Sequence, residues 1–194
     1  PESVMRETWK YFGDVQGKSV ANLLGSCGRR AVALSLLDAD VTVVDISEEN
    51  QRYALELAGE AGVCLDYIVA DVSAWDAGPY ANRFDFVFME YGILHYFVDL
   101  GPLVQRITTI LKPAGRLILH EYHPLNRKCR PELEGDRLYL RGDYFGRDVH
   151  EKPAQTQVNF TADEVAAFPL AGRSTGSWER WSPRCAAVAL PSSL

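Results

Sequence analysis

Residues 19–45 read SVANLLGSCGRRAVALSLLDADVTVVD, and their reading decides the fold. The stretch opens on a nearly continuous apolar run, 19–24, the pattern of a strand covered on both faces. Gly25-Ser26-Cys27-Gly28 follows as a turn, 28–37 as a helix, and 40–45 (DVTVVD) as a β-branched strand that ends on Asp45. A strand, a glycine turn, a helix and a second strand closed by an acid form the first half of a nucleotide-binding α/β unit. Asp45 stands 20 positions after Gly25, the spacing at which a carboxylate meets a ribose.

The alternation continues on both sides. Residues 2–12 predict a leading helix, with Val4, Met5, Thr8, Trp9 and Phe12 at helical spacing. Ser47 caps the next helix, Glu48 and Glu49 favour its positive end, and Gly62 stops it after Ala61. Residues 65–70 form a third strand closed by Asp71, and 84–90 (FDFVFME) a fourth. A helix over 100–111 ends at Lys112-Pro113-Ala114-Gly115, and 116–122 (RLILHEY) is the fifth strand. The expected architecture is α/β: a doubly wound, Rossmann-like, mostly parallel sheet of five recognisable strands. Ligands in such sheets sit beyond the carboxyl ends of the strands, which here carry Gly25, Asp45, Asp71, Glu90 and residues 120–123.

Composition narrows the function classes. With 20 basic against 26 acidic residues the chain carries a net charge of -6, which argues against a broad nucleic-acid footprint. No apolar run is long enough to span a membrane and no signal peptide is visible, so a cytoplasmic protein is expected. Cys27, Cys64, Cys129 and Cys185 lack paired metal-ligand spacing and read as reduced thiols. His120, Glu121 and His123 form no confirming metal set either.

Several side chains could carry chemistry. The turn at 25–28 offers free backbone N–H groups, or is simply a tight connection from strand to helix. Asp45 could accept from vicinal ribose hydroxyls, or cap the next helix. Asp71 could accept from an exocyclic purine amine with Val72 covering the ring, or cap the segment after it. Tyr91, Tyr96, Phe97 and Tyr122 could wall an aromatic pocket, or pack as core and rim.

The glycine turn, Asp45, Asp71-Val72, FDFVFME and LKPAGRLIL, in that order over roughly 17–123, resemble the class I S-adenosylmethionine-dependent methyltransferases. The resemblance implies that Gly25, Ser26 and Gly28 approach the methionine part of the cofactor S-adenosylmethionine. It implies that Asp45, with Ile46 beside it, holds the ribose, and that Asp71 and Val72 meet the adenine. Glu90, Tyr91 and Leu94 would border the sulfonium and a small-molecule methyl acceptor. A base is needed where the acceptor carries a proton, and His95 is the first candidate, with His120 and His123 second. Two departures stand out. Leu23 occupies the place where the family's turn is preceded by an acid, and Cys27 and Arg29 replace its second and third glycines. Arg29 or Arg30 could meet the cofactor's carboxylate instead.

A non-catalytic or degenerate relative that keeps cofactor binding is the alternative, and Leu23 and Cys27 favour it. A nicotinamide-dependent oxidoreductase is a third reading, but it needs a glycine fingerprint that Cys27 and Arg29 break. The domain is read over 1–168, with the polar insertion 124–160 as a substrate lid. Residues 169–194 form an atypical tail without strand or helix periodicity before Ala186. Translation out of frame would explain it: shifted codons from Arg173 can yield an amphipathic helix, a glycine stop and a strand start. The last two strands of the family's usual seven would then be missing or altered.

Overall fold

The apolar run at the head of the deciding stretch is a central strand in the computed structural model. The structure describes residues 1, 3–146, 149–153 and 170–174. Strand β1 (Ser19–Leu23) has Val20, Ala21, Asn22 and Leu23 buried, as a strand flanked by neighbours and covered on both faces must. It pairs in parallel with β2 (Asp40–Asp45) on one side and β4 (Phe84–Glu90) on the other. β3 (Asp66–Val69) continues beyond β2, and β5 (Leu111–His120) lies beyond β4. The five-stranded order is β3-β2-β1-β4-β5, all parallel, so the chain reverses direction of travel between β1 and β4.

Helices α2 (Arg29–Ser35), α3 (Glu48–Ala61) and α4 (Gly101–Ile110) make the crossovers. Ser47 caps α3 through its side chain, which accepts from Asn50 N at 3.2 Å, and Gly62 ends it in left-handed conformation. Between α4 and the regular part of β5 the Lys112–Gly115 stretch turns with Ala114 at φ 63, and the pairing to β4 shifts register there. The leading helix is shorter than its periodicity predicts. Among the described residues of that stretch only Trp9–Phe12 (α1) is helical, and ahead of it Met5 O receives the N–H groups of Thr8 and Trp9 and the Thr8 hydroxyl. Phe12 nevertheless anchors the segment, its ring 5.1 Å from Phe88 and 5.4 Å from Phe86.

The chain divides into two units. The first, residues 1–91 and 101–121 among those described, holds the sheet and its helices. The second includes residues 92–100 and the region after Glu121. Within it, the described part of 124–160 holds regular elements. α5 (Pro124–Lys128) leads into β6 (Cys129–Glu134), which pairs antiparallel with β7 (Arg137–Gly142). β8 (Val149–Pro153) pairs antiparallel with β9 (Leu170–Ser174), a strand where the tail's pattern offered none. The rest of the atypical tail, and with it the out-of-frame reading, lies outside the described residues.

One interaction at the amino edge of the sheet sets an acid limit on stability. Asp85 Oδ2 accepts from Lys112 Nζ at 2.8 Å and from Ser19 N at 2.9 Å, tying β4 to β1 and β5. Burial works against its charge, but the two donors outweigh it and hold the carboxyl below its usual range. A depressed folded pKa gives stability that is complete above the unfolded value of about 3.9 and is lost as pH falls through the folded one. Asp85→Asn is expected to cost about 1 kcal/mol at neutral pH, with the difference from the parent closing in acid, measured by urea unfolding at a series of pH values.

Candidate functional site

At the carboxyl end of β1 the backbone is forced into unusual conformations. Leu24 (φ 51), Ser26 (φ 49) and Gly28 (φ 70) all have positive φ within five residues. For residues other than glycine this region costs on the order of 1–3 kcal/mol, and such strain gathers at ligand sites. A Cβ on Gly25 would lie 2.6 Å from Asn22 Oδ1 and 2.8 Å from Val43 Cγ1, so the turn closes only over a bare backbone. Asn22 is itself buried and reaches across to donate from Nδ2 to Phe88 O at 3.2 Å.

Two side chains from neighbouring strands hold this turn. The Ser26 N–H donates to Asp45 Oδ2 at 3.0 Å, and the Tyr67 hydroxyl donates to Ser26 O at 2.8 Å. Burial, then the charge of Asp45, pushes the Tyr67 phenol well up, so it stays a protonated donor at any working pH. Tyr67→Phe is expected to loosen the turn and cost about 1 kcal/mol of stability, read by urea unfolding.

Asp45 serves the turn and the next helix together. Its Oδ1 accepts from Ser47 N at 3.0 Å and Asn50 Nδ2 at 3.3 Å. An ionised carboxylate has about four acceptor positions, so three donors leave roughly one for a ligand hydroxyl. Ile46, next in sequence, is 72% exposed, an apolar side chain held in water beside a carboxylate. Asp71 lies after β3, the strand paired with β2, but its Oδ1 is turned to its own segment, accepting from Ser73 N at 2.8 Å and Ser73 Oγ at 2.7 Å. Val72 is 3% exposed, in the interior rather than on a rim.

On the other flank β4 and β5 gather a polar cluster. The Glu90 side chain is 7% exposed and ion-paired with Arg30, in the first turn of α2. The Arg30 guanidinium also stands 5.6 Å from the centre of the Tyr91 ring, and burial lowers its pKa from the ordinary value. Tyr91 has φ 57, and its N–H donates to His120 O at 2.7 Å. The Tyr91 and His120 rings lie 4.4 Å apart. Glu7 accepts from the Tyr91 hydroxyl, and its Oε2 is 3.8 Å from His120 Nε2. Nothing in the sequence pointed to Glu7, because one acid on a short leading segment has no signature of its own.

The other predicted residues belong to the second unit. Leu94 and His95 lie on a 3-10 helix (Leu94–Tyr96), where the His95 ring packs 4.2 Å from that of Tyr96. His123 caps α5, its Nδ1 accepting from Leu125 N at 3.2 Å. Among the described residues no group of three or more His, Cys, Asp or Glu side chains could hold a metal ion, and no helix is long and apolar enough to cross a membrane.

The first unit thus presents a strained turn over bare backbone, a carboxylate with an open acceptor position, and an ion pair, all at carboxyl ends of parallel strands. Known proteins share this fold. The sequence of residues 24–119 matches a family described as a methyltransferase domain. An S-adenosylmethionine-dependent methyltransferase from Mesorhizobium loti superposes with a TM-score of 0.67 at 18% identity, over 91% of this chain and 75% of that one. A protein from Listeria monocytogenes, described as a candidate methyltransferase of the same kind, gives 0.66 at 16% identity, over 91% and 78%. At such identities the likeness is one of fold. No curated protein matches the sequence. The matched segment runs from the strained turn to the end of β5 and makes that stretch a methyltransferase domain, on the class I fold whose cofactor is S-adenosylmethionine.

Proposed function

We propose that this chain transfers a methyl group from S-adenosylmethionine to a small-molecule acceptor. The observation that carries the reading is the turn at Leu24–Gly28, strained at Leu24 and Ser26 and tied by Ser26 N to Asp45. When bound, the cofactor supplies an electrophilic methyl on a sulfonium, and the protein's task is chiefly alignment. Asp45 offers its remaining acceptor position to a ribose hydroxyl, and a second hydroxyl requires Ser47 N or Asn50 Nδ2 to yield. Ile46 gives the purine an apolar face. Gly25, Ser26 and Gly28 let the backbone approach the methionine part, while Asp71 keeps Oδ2 for the adenine amine, with Val72 beneath it. Glu90 and Tyr91 border the reacting centre.

Where the acceptor carries a proton, a base must take it. His95 is one candidate. His120 is the other, and its support is the company it keeps: Glu7 faces its Nε2 and can stabilise the imidazolium, and Tyr91 stacks beside it. The insertion 124–160 is the candidate substrate lid, and within it the hairpin β6–β7 exposes Leu133, Leu138 and Leu140.

Calorimetric titration of S-adenosylmethionine and S-adenosylhomocysteine into the folded protein tests the reading. Micromolar binding at one site is expected, and no heat from either would overturn it. The second reading, a relative that binds without turnover, draws on Leu23, which the resemblance sets at the family's acid and which is wholly buried. Binding with no consumption of cofactor across oxygen, nitrogen and carbon acceptors would favour it.

A further inference from the structure

The two edges of the sheet are finished differently. Along a strand the N–H and C=O groups of alternate residues point to opposite sides. At β3 the Asp45 carbonyl receives the N–H of Ala70, so Ile68 and Ala70 face β2 and Tyr67 faces outward. The outward Tyr67 carbonyl is answered from within the chain, by Gln51 Nε2 of α3 at 3.0 Å. That strand is also short and carries Asp66, which makes it a poor template for further pairing. At β5 the His120 carbonyl receives the N–H of Tyr91, so Arg116, Ile118 and His120 face β4. The N–H and C=O groups of Leu117 and Leu119 therefore point away from the sheet, and among the described residues no strand pairs with them.

This second edge is open and unguarded. A groove of about 320 Å³ runs along it, lined by every residue from Arg116 to His120, with Thr8 and Tyr11 beside them. Leu117 is 44% exposed, although the neighbouring β4 is buried over most of its length. Edge strands are ordinarily blunted by lysine, proline or a bulge. Here the proline and the irregular pairing come earlier, at Pro113 and opposite Phe84–Phe86, and 116–120 holds no such device. Its one fixed charge is drawn inward. Arg116 donates to Phe12 O at 2.9 Å, and its guanidinium lies 5.0 Å over the Phe86 ring.

We propose that this edge joins two copies of the chain, β5 against β5, antiparallel about a two-fold axis at Ile118. The register is self-complementary. Leu117 of one copy falls opposite Leu119 of the other, and both point outward, so the pair exchanges about four hydrogen bonds. Arg116 of each copy falls opposite His120 of the other, whose Nε2 lies 3.8 Å from Glu7 Oε2. The Glu7 side chain is 61% exposed, so at each end of the pairing a guanidinium comes to a carboxylate. An unrelated extended strand would keep the backbone bonds and lose both charge pairs, which is why a second copy fits best. The pairing lies outside the glycine turn and does not depend on the methyl-transfer reading.

Sedimentation equilibrium of the full chain over a range of concentrations tests the pairing. A mass of two chains that dissociates on dilution is expected. Leu119→Pro removes an N–H that the sheet itself does not use, where an edge strand tolerates proline. It should raise the dissociation constant at least about 10-fold. Arg116→Glu and Glu7→Arg should each weaken self-association, and mixing the two should recover a mixed dimer in which both ends again join opposite charges. Each variant is checked for cooperative thermal unfolding, and Leu117→Lys, a change at an exposed side chain, replaces Leu119→Pro if that variant fails to fold. A parent that stays a monomer overturns the proposal. Slow amide exchange at Leu117 in that monomer would assign the edge to another part of the same chain. A dimer indifferent to the change at Leu119 or Leu117, or charge variants whose mixture associates no better than either alone, overturns the proposal as well.

Discussion

Asp45→Ala is expected to lower the affinity for S-adenosylhomocysteine at least about 100-fold, because one side chain has two duties at the site. It offers the acceptor position for a ribose hydroxyl, and it fixes the turn that the rest of the ligand must approach. Removing it leaves the Ser26 and Ser47 N–H groups and Asn50 Nδ2 without the acceptor they share. The Ser26 N–H matters most of the three, since Ser26 is held at φ 49 and would relax toward an ordinary conformation once released. The two duties can be separated. Asn50→Ala removes one donor and frees an acceptor position on the same carboxylate, so binding should change by less than about 3-fold. Asp45→Ala with parental affinity would move the nucleotide site away from β2 and remove the support for methyl transfer at this edge.

The largest effect on stability is expected at Gly28. Its φ of 70 admits glycine freely and other residues only at a cost, and an added Cβ would fall 2.6 Å from Ala54 Cβ on α3. Gly28→Val combines a left-handed β-branched residue with overpacking, for a loss of about 3 kcal/mol or more. In a domain of this size that lowers Tm by about 6–12 °C, measured by calorimetry or circular dichroism. Gly62 provides the control. It has a nearly identical φ of 71 at the end of α3, but open space where a Cβ would go. Gly62→Ala should therefore cost only the conformational part, about 1–2 kcal/mol. Contact and backbone are further separated by pairing Gly28→Ala with Ala54→Gly. The second change should restore part of the loss if the close approach to α3 is real, and none if backbone strain alone is at work.

This also assigns Gly28 its part. From the sequence it read as a displaced member of a cofactor-binding glycine set. In the structure it also caps α2 and lets that helix pack against α3, and so it places Arg29 and Arg30 at the start of the helix. Gly25, by contrast, has an ordinary φ and is required by crowding from Asn22 and Val43. Two glycines three residues apart are thus needed for different physical reasons, and spacing alone does not tell them apart.

The sequence by itself determined the strand order of chemistry along the chain: a buried run at 19–23, a β-branched strand ending on Asp45, Ser47 and Gly62 bounding α3, and β4 over Phe84–Glu90. These features are local. Periodicity, caps and left-handed glycines act over a few residues, so they can be read without knowing what lies opposite. Asp45 was legible for the same reason, since a strand end and a fixed distance from a turn define it. What only the tertiary structure decided is which charges meet. Arg30 finds Glu90, Glu7 finds Tyr91 and lies near His120, and Tyr67 reaches the carbonyl of Ser26. Each of these contacts joins residues more than 40 positions apart. The first exists because the order β3-β2-β1-β4-β5 sets the carboxyl ends of β1 and β4 side by side. A lone glutamate or arginine has the same chemistry anywhere in a chain, and only the neighbour that packing supplies turns it into part of a site.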